Sequence, residues 1–280
     1  MNITNFTKVA LNAIRRNKVR AFLTMLGIII GVASVITMLA IGQGSKKSIQ
    51  DQVSSMGTNM IFVMPGQQMR GGVQMGSGSS KALTLDDVEA IKKNCKYISN
   101  VSPEVRGNGQ AISGNANTLT SIFGVDVGYM EIKKLSVKSG RMFTAKEIKN
   151  SSKVCLLGKT VIKNLYGSDT YDPVGQTIRF KKIPMKVIGV LDEKGQNTFG
   201  QDQDDMIICP YTTVQKRILA ITHVQSILTS ATSEETSPLA SAELETTLRA
   251  SHKIKENDES DFTIRSQSEL IKMFSSISNV

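Results

Sequence analysis

The stretch from Phe22 to Gly42, FLTMLGIIIGVASVITMLAIG, contains no Asp, Glu, Lys, Arg, His, Asn, Gln or Pro. Its length just exceeds the roughly 20 apolar residues that carry a helix across about 30 Å of hydrocarbon. Within a bilayer a single segment satisfies its own backbone only as a helix. The run therefore divides the chain into a short basic leader and a long part of mixed composition. A cleaved signal peptide has an apolar region of about 7–15 residues and a small-x-small cleavage site. This run is longer, begins only at Phe22, and no Ala-x-Ala stands close behind it as a cleavage site. A retained membrane helix over 21–42 is expected.

Charge orients that helix. Lys8, Arg15, Arg16, Lys18 and Arg20 precede it without an acidic residue, and they make up half of the formal net charge of +10. Basic residues flanking a membrane helix stay on the cytoplasmic side. Arg15, Arg16, Lys18 and Arg20 thus predict an inner N-terminus and an outer bulk, although Lys46 and Lys47 dilute the bias before Asp51. The remaining excess is spread thinly, with no basic run and no Trp, so nucleic-acid binding is not expected. Ile3, Phe6, Val9, Ala10, Ala13 and Ile14 recur at helical spacing. Residues 1–20 therefore read as an amphipathic leader on membrane lipid or as an extension of the span. Within the run, Gly27 and Gly31 form Gly-x-x-x-Gly, and Ser34 extends the small-residue face, with Ala33 and Thr37 nearby. Such a face lets a second membrane helix approach closely, though glycine is also common in membrane helices generally.

The remainder alternates elements. Residues 42–57 read as a helix leaving the membrane, with Ile49, Val53 and Met56 on one face. Asn59 to Met64 reads as a buried strand stopped by Pro65-Gly66. Residues 66–80, rich in Gly, Ser and Gln, read as a flexible loop. Thr84 is a candidate N-cap with Asp87 at the third position, opening a helix to Asn94. Tyr97 to Arg106 follows as a strand, irregular or at an edge because of Pro103. From about Gly107 to Pro210 short apolar runs alternate with Gly, Asn, Asp and Pro: 118–125, 135–137, 154–157, 177–180, 185–191 and 206–209, with short helices near 145–149 and 160–165. The earlier rhythm then returns, with a strand over 224–231, a helix over 238–251, a strand over 262–265 and a helix from Ser266 to Ile277. The expected fold class is α+β: one N-terminal transmembrane helix, then two strand–helix–strand units around a β-rich insert. The expected division is 1–20, 21–42, 43–106 with 220–280, and an inserted 107–219.

Catalytic chemistry is not evident. Cys95, Cys155 and Cys209 are far apart and odd in number; one disulfide is the most they allow and none is required. His223 and His252 have no partner at ligand spacing. Gly158-Lys159-Thr160 ends like a phosphate-binding loop, but position 153 is Lys where that loop needs Gly. Asp202, Asp204 and Asp205 lack the glycine and distal glutamate of a calcium loop. Thioethers can hold copper(I), but Met60 and Met64, four apart in a strand, mark one packed face. No enzyme activity, cofactor or metal is expected.

The order of these features resembles the MacB-type permeases of bacterial ABC transporters, the macrolide-exporter and FtsX-like family. ALNAIRRNKVRAFLTMLGIIIGVASVITMLAIGQG at residues 10–44 resembles the family's first membrane helix and is the most specific match. GTNMIFVMPG at 57–66, LTLDDVEAI at 83–91, GRMFTAKE at 140–147, the pair DPVGQTIRF and MKVIGVL within 172–191, and DFTIRSQSEL at 261–270 fit its periplasmic core. The resemblance implies a porter-like outer domain with a β-rich insert, set between the first membrane helix and three more. It also implies a bacterial inner-membrane location, a cytoplasmic ABC ATPase on a separate polypeptide or on a segment outside this sequence, and a homodimer or paired permease. A periplasmic adaptor and an outer-membrane channel are further implied partners. A second run of about 18 apolar residues is missing, so a truncated product or fragment is expected. The function implied is export, with ATP-driven motion passed to the outer domain. A non-transporting envelope regulator and a lipoprotein-releasing permease are the alternatives.

Overall fold

The computed structural model describes residues 9, 13, 15–55, 59–66, 69–70, 73–74, 83–196, 200–267 and 269. Helix α1 (Lys18–Ser55) is one element of 38 residues, about 57 Å at 1.5 Å per residue. The membrane run and the segment expected to leave the membrane are therefore continuous. The apolar part, Lys18–Gly44, has 27 residues with a mean hydropathy of 2.4 in its most apolar window. The helix contains no proline, the residue that most often kinks one. The Thr24, Ser34 and Thr37 hydroxyls donate to the carbonyls of Arg20, Ile30 and Ala33 at 3.0, 2.7 and 2.7 Å. These three groups thus carry no unmet donor into hydrocarbon. Most of the leader lies outside the described residues, and so does most of the helix expected from Ser266 to Ile277.

Strand β1 (Met60–Pro65), helix α2 (Leu85–Asn94) and the first half of β4 (Ile98–Ser113) make one strand–helix–strand unit. Strand β11 (Ser226–Ala231), helix α7 (Ser237–His252) and β12 (Phe262–Ser266) make the other. Their sheet order is β12-β1-β11-β4 with every neighbour antiparallel. Counted within this unit, that order is fourth, first, third, second: the split βαβ arrangement of ferredoxin-like folds. One sheet face buries Ile61, Val63 and Ile227 against Val88 and Ile91 of α2 and Ala240, Leu244 and Leu248 of α7. The chain leaves β1 at Gly66, whose N–H donates to the Asp261 carbonyl at 2.8 Å. A Cβ there would lie 2.8 Å from the Asp261 carbonyl carbon, so glycine is what fits.

Between the halves, β4 crosses from one sheet into another. Its residues 98–104 pair with β11, while Val105 to Ser113 pair with β5 (Ala116–Val125). Among the described residues β4 is the longest strand; its first half is the edge of the split βαβ sheet, as Pro103 suggests, and its second half lies inside the barrel. Pro103 sits just before β5 pairing begins, where β4 has a strand neighbour on one side only, so its missing N–H breaks no ladder there. Strands β7 (Val154–Leu157), β8 (Thr177–Phe180), β9 (Ile183–Leu191) and β10 (Met206–Pro210) join β4 and β5 in a closed ring, β4-β5-β10-β7-β9-β8 and back to β4. Closure leaves this ring no free strand edge. Its interior holds Ala111, Ile122, Cys155, Ile178, Phe180, Met185, Val187 and Ile207, each 0% exposed. Helix α5 (Lys159–Tyr166) adds Val161, Ile162 and Leu165. This core is continuous with the one under α2 and α7.

A second cluster joins the two parts from outside. Met60 and Leu228 on the far face of the split βαβ sheet meet Tyr129 and Ile132 of α3 (Tyr129–Ile132). The outward residues Leu156, Ile188 and Ile208 of the barrel complete it, and Phe62 packs on its rim. Two expectations need correcting. Met64 does not share the packing of Met60: it is 41% exposed. The stretch 66–80 is not simply loop, because β2 (Met69–Arg70) and β3 (Val73–Gln74) pair antiparallel. The Gly-Gly between them in sequence is a hairpin signal that the loop-like composition obscured.

Candidate functional site

The first candidate is the exposed face of α1. Gly27, Gly31 and Ser34 lie at i, i+4 and i+7, on one side of a helix of 3.6 residues per turn. A Cβ built on Gly27 or Gly31 meets nothing within 4 Å. Ile30, Ala33, Ser34, Thr37, Met38 and Ile41 line a shallow groove beside them. No part of the most apolar window is covered by the rest of the chain. Leu23, Ile28, Val35 and Leu39 are all exposed, a surface that water disfavours and that lipid or a second helix accepts. Arg15, Arg16, Lys18 and Arg20 are all exposed; Arg15 and Arg16 are helical residues before the turn at Asn17, and Lys18 and Arg20 lie in the first turn of α1. For Lys18 and Arg20 that placement is unfavourable for the helix dipole, so these two cations have no local helix-stabilising role.

The second candidate is a buried cluster where the two strand–helix–strand units meet. His252, last residue of α7, sets Nδ1 2.6 Å from Asp261 Oδ1 and Nε2 3.2 Å from Asp87 Oδ2. Asp87 also accepts from the Thr84 N–H at 2.8 Å, the Thr84 hydroxyl at 2.9 Å and the Ser251 hydroxyl at 2.5 Å. The cap anticipated at Thr84 thus exists, and the histidine completes it from the other unit. Burial, the largest single influence on Asp87, pushes its carboxyl up. The hydrogen bonds from Ser251, Thr84 and His252 outweigh it and hold the group below its ordinary value. A serine, a histidine and aspartates adjoin, yet this is not a nucleophile site. Ser251 donates to Asp87 rather than to the ring, and both ring nitrogens face carboxylates. No single residue announced the cluster in the sequence, because Asp87 and His252 lie on opposite halves of the duplicated unit.

The remaining sequence candidates resolve into loop architecture. Lys159 pairs with Glu193 at 2.5 Å and Asp169 at 3.5 Å, and the Thr160 hydroxyl donates to Asp202 at 2.6 Å. Asp204 accepts from the backbone N–H groups of Lys194 and Gly195 at 2.9 and 2.8 Å. The Gly-Lys-Thr triplet and the aspartates therefore tie one loop to α5. Among the described residues no group of three His, Cys, Asp or Glu side chains could hold a metal ion.

An apolar helix running into a split βαβ unit with an inserted barrel defines a membrane-anchored α+β core domain. The chain belongs to the MacB-like periplasmic core domain family, which it matches over residues 21–247. It is 40% identical over 210 residues to a macrolide export ATP-binding/permease protein MacB of Syntrophobacter fumaroxidans, covering 75% of this chain and 29% of that protein. It is 36% identical over 273 residues to the MacB of Chlorobium phaeobacteroides, covering 98% of this chain and 41% of that one. The chain thus spans less than half the length of these relatives. Its fold matches the crystal structure of the periplasmic region of MacB from Actinobacillus actinomycetemcomitans with a TM-score of 0.65 and 24% identity, covering 81% of this chain and 97% of that one.

Proposed function

We propose that this chain is the membrane-anchored periplasmic core of an ABC export permease, passing ATP-driven motion from the membrane to its outer domain. The observation that carries the reading is the unbroken helix from Lys18 to Ser55, with β1 of the split βαβ unit starting at Met60. The helix holds no proline and runs on as one element through Gly44-Ser45, a kind of pair at which helices can kink. A tilt imposed at its basic end therefore reaches β1 as a displacement, a lever in the sense of rigid-body switching. Arg15, Arg16, Lys18 and Arg20 hold that end at the cytoplasmic face of the bacterial inner membrane, and the bulk lies in the periplasm. Gly27, Gly31 and Ser34 form the surface on which a second permease helix packs, in a homodimer or a paired permease. ATP hydrolysis belongs to a cytoplasmic ABC ATPase. A periplasmic adaptor and an outer-membrane channel would receive the motion. Residues 43–106 with 220–280 serve as the porter-like subdomain and 107–219 as its insert.

The test is to purify a permease containing this sequence in mild detergent, with a cysteine in place of Ser34, and to measure helix–helix crosslinking with and without a non-hydrolysable ATP analogue. The expected result is a co-purified ATPase and nucleotide-dependent crosslinking. Recovery of a cell-wall hydrolase with no ATPase would replace export with envelope regulation.

A further inference from the structure

Two of the three cysteines meet inside the barrel. Strands β7 and β10 run antiparallel, with Leu157 opposite Ile207 and Leu156 opposite Ile208. One further step of that register brings Cys155 opposite Cys209. Side chains alternate between the faces of a strand. Cys155, Leu157, Ile207 and Cys209 accordingly all point inward and are 0% exposed, while Leu156 and Ile208 belong to the outer cluster. The irregularity between β7 and β9 falls at Ile188 of β9, where Cys155 pairs with Val187 and Leu156 with Gly189. The alternation of β7 is undisturbed. Burial first, then a hydrogen bond with the Cys155 thiol, pushes the Cys209 thiol well above its ordinary range, which marks the two sulfurs as neighbours. Cys95 stands apart, its Sγ 3.5 Å from Thr247 Oγ1.

Residues directly opposed on antiparallel strands have Cα atoms about 4.5 or 5.5 Å apart. A disulfide spans Cα separations of about 4.4–6.8 Å, so the backbone is already in range. We propose that Cys155 and Cys209 are an intramolecular redox pair that closes into a cross-strand disulfide stapling β7 to β10 inside the barrel. The oxidant is a disulfide, either a small molecule or the disulfide of a protein oxidoreductase. One cysteine thiolate attacks a sulfur of the donor, forming a mixed disulfide and releasing one thiolate. The second cysteine attacks the cysteine sulfur of that mixed disulfide, forming the internal bond and releasing the other thiolate. Two cysteine protons leave and two donor thiols are produced, so atoms and electrons balance. Because both sulfurs are fully buried, exchange requires the barrel to open or to be still folding. The pairing is a property of the barrel and stands independently of the transport reading.

The test uses the purified full chain in detergent. It is partly unfolded in urea with oxidised glutathione, refolded, quenched with a maleimide, digested and weighed. The expected product is a linked peptide pair containing Cys155 and Cys209, two hydrogens lighter than the reduced pair, with Cys95 alkylated. The melting temperature should rise on the order of 10 °C. Dithiothreitol should reverse the rise and Cys155→Ala should abolish it; Cys209→Ala gives the same readout should the first variant fold poorly. Alkylation of both cysteines after refolding, glutathione adducts without the internal link, or a bond to Cys95 would overturn the proposal.

Discussion

His252 carries more of the fold than its single ring suggests, because it touches both halves of the duplicated unit. Asp87 is 2% exposed and Asp261 5%. Removing the ring leaves two buried carboxylates without their shared partner. Leaving a buried acceptor without its hydrogen-bond partner costs about 1–3 kcal/mol for each group. His252→Leu should therefore lower the melting temperature by roughly 10 °C in a thermal scan, and an unchanged scan would dismiss the cluster as incidental. Acid makes a second, separable prediction at Glu147. Its hydrogen bond with the Arg141 guanidinium in the first place, helped by the N–H and hydroxyl of Thr144, holds its pKa at about 2 against the ordinary 4.5. A folded pKa below the unfolded one gives stability present above pH 4.5 and lost as pH falls toward 2. The Arg141 side chain is largely solvent-exposed, so the worth of the pair is discounted to about 0.5 kcal/mol. Glu147→Gln should reduce stability by about that amount at pH 6 and by little at pH 2, read from urea unfolding at both pH values. The Thr84–Asp87 cap was legible in the sequence because both partners sit within one turn. The His252 contacts were not, since they depend on which helix ends the strand order brings together.

At the scale of elements, glycine separates two kinds of surface. Gly27 and Gly31 have open space where a side chain would go. Gly27→Leu with Gly31→Leu should leave the melting temperature of the outer domain unchanged while reducing crosslinking between membrane helices severalfold, because close approach needs small residues. Undiminished crosslinking would remove that face from the interface. Gly158 is the opposite case. A Cβ there would sit 2.2 Å from the Asp204 carbonyl oxygen, at the start of α5, where the loop anchored by Asp202 and Asp204 runs past. Gly158→Ala should therefore destabilise by about 2 kcal/mol, seen as a lower urea midpoint. The element boundaries follow the same logic of local against distant causes. β7 and β8 stand where their short runs, Val154–Leu157 and Thr177–Phe180, predict them. The π-helical turn at Val214–Leu219 had no local signature. It fits because Gly124 lets Val214 approach β5, where an added Cβ would be 2.7 Å from the Val214 Cβ.

At the scale of the molecule, the barrel is an insertion at a point where two strands of the host sheet already lie side by side. Glu104 of β4 and Ser226 of β11 are directly paired across the antiparallel ladder. A two-residue Asn-Gly turn, which favours type I′ geometry, can therefore join them without altering register. Strand–helix–strand repetition on either side of an irregular β-rich stretch made the outline of this arrangement readable. Barrel closure through β8 was not readable, because it rests on two residue pairs, Ala111 with Phe180 and Ile112 with Arg179. The second apolar cluster decides how separable the parts are. Without the insert, Met60, Phe62 and Leu228 lose the barrel wall and α3 that cover them, and Leu83 loses its bridge to Val224. Each newly exposed large apolar side chain forfeits about 1.5–3 kcal/mol of burial. A host unit built from residues 59–104 and 226–267 should consequently associate or unfold, whereas the same unit carrying Phe62→Thr and Leu228→Thr should be monomeric, since threonine suits a solvated strand face. Size-exclusion chromatography and urea unfolding of the two versions decide it. A monomeric, stable unit without the threonines would mean that the outer cluster merely rests against the host sheet, and that motion arriving through α1 could move the split βαβ unit without carrying the barrel with it.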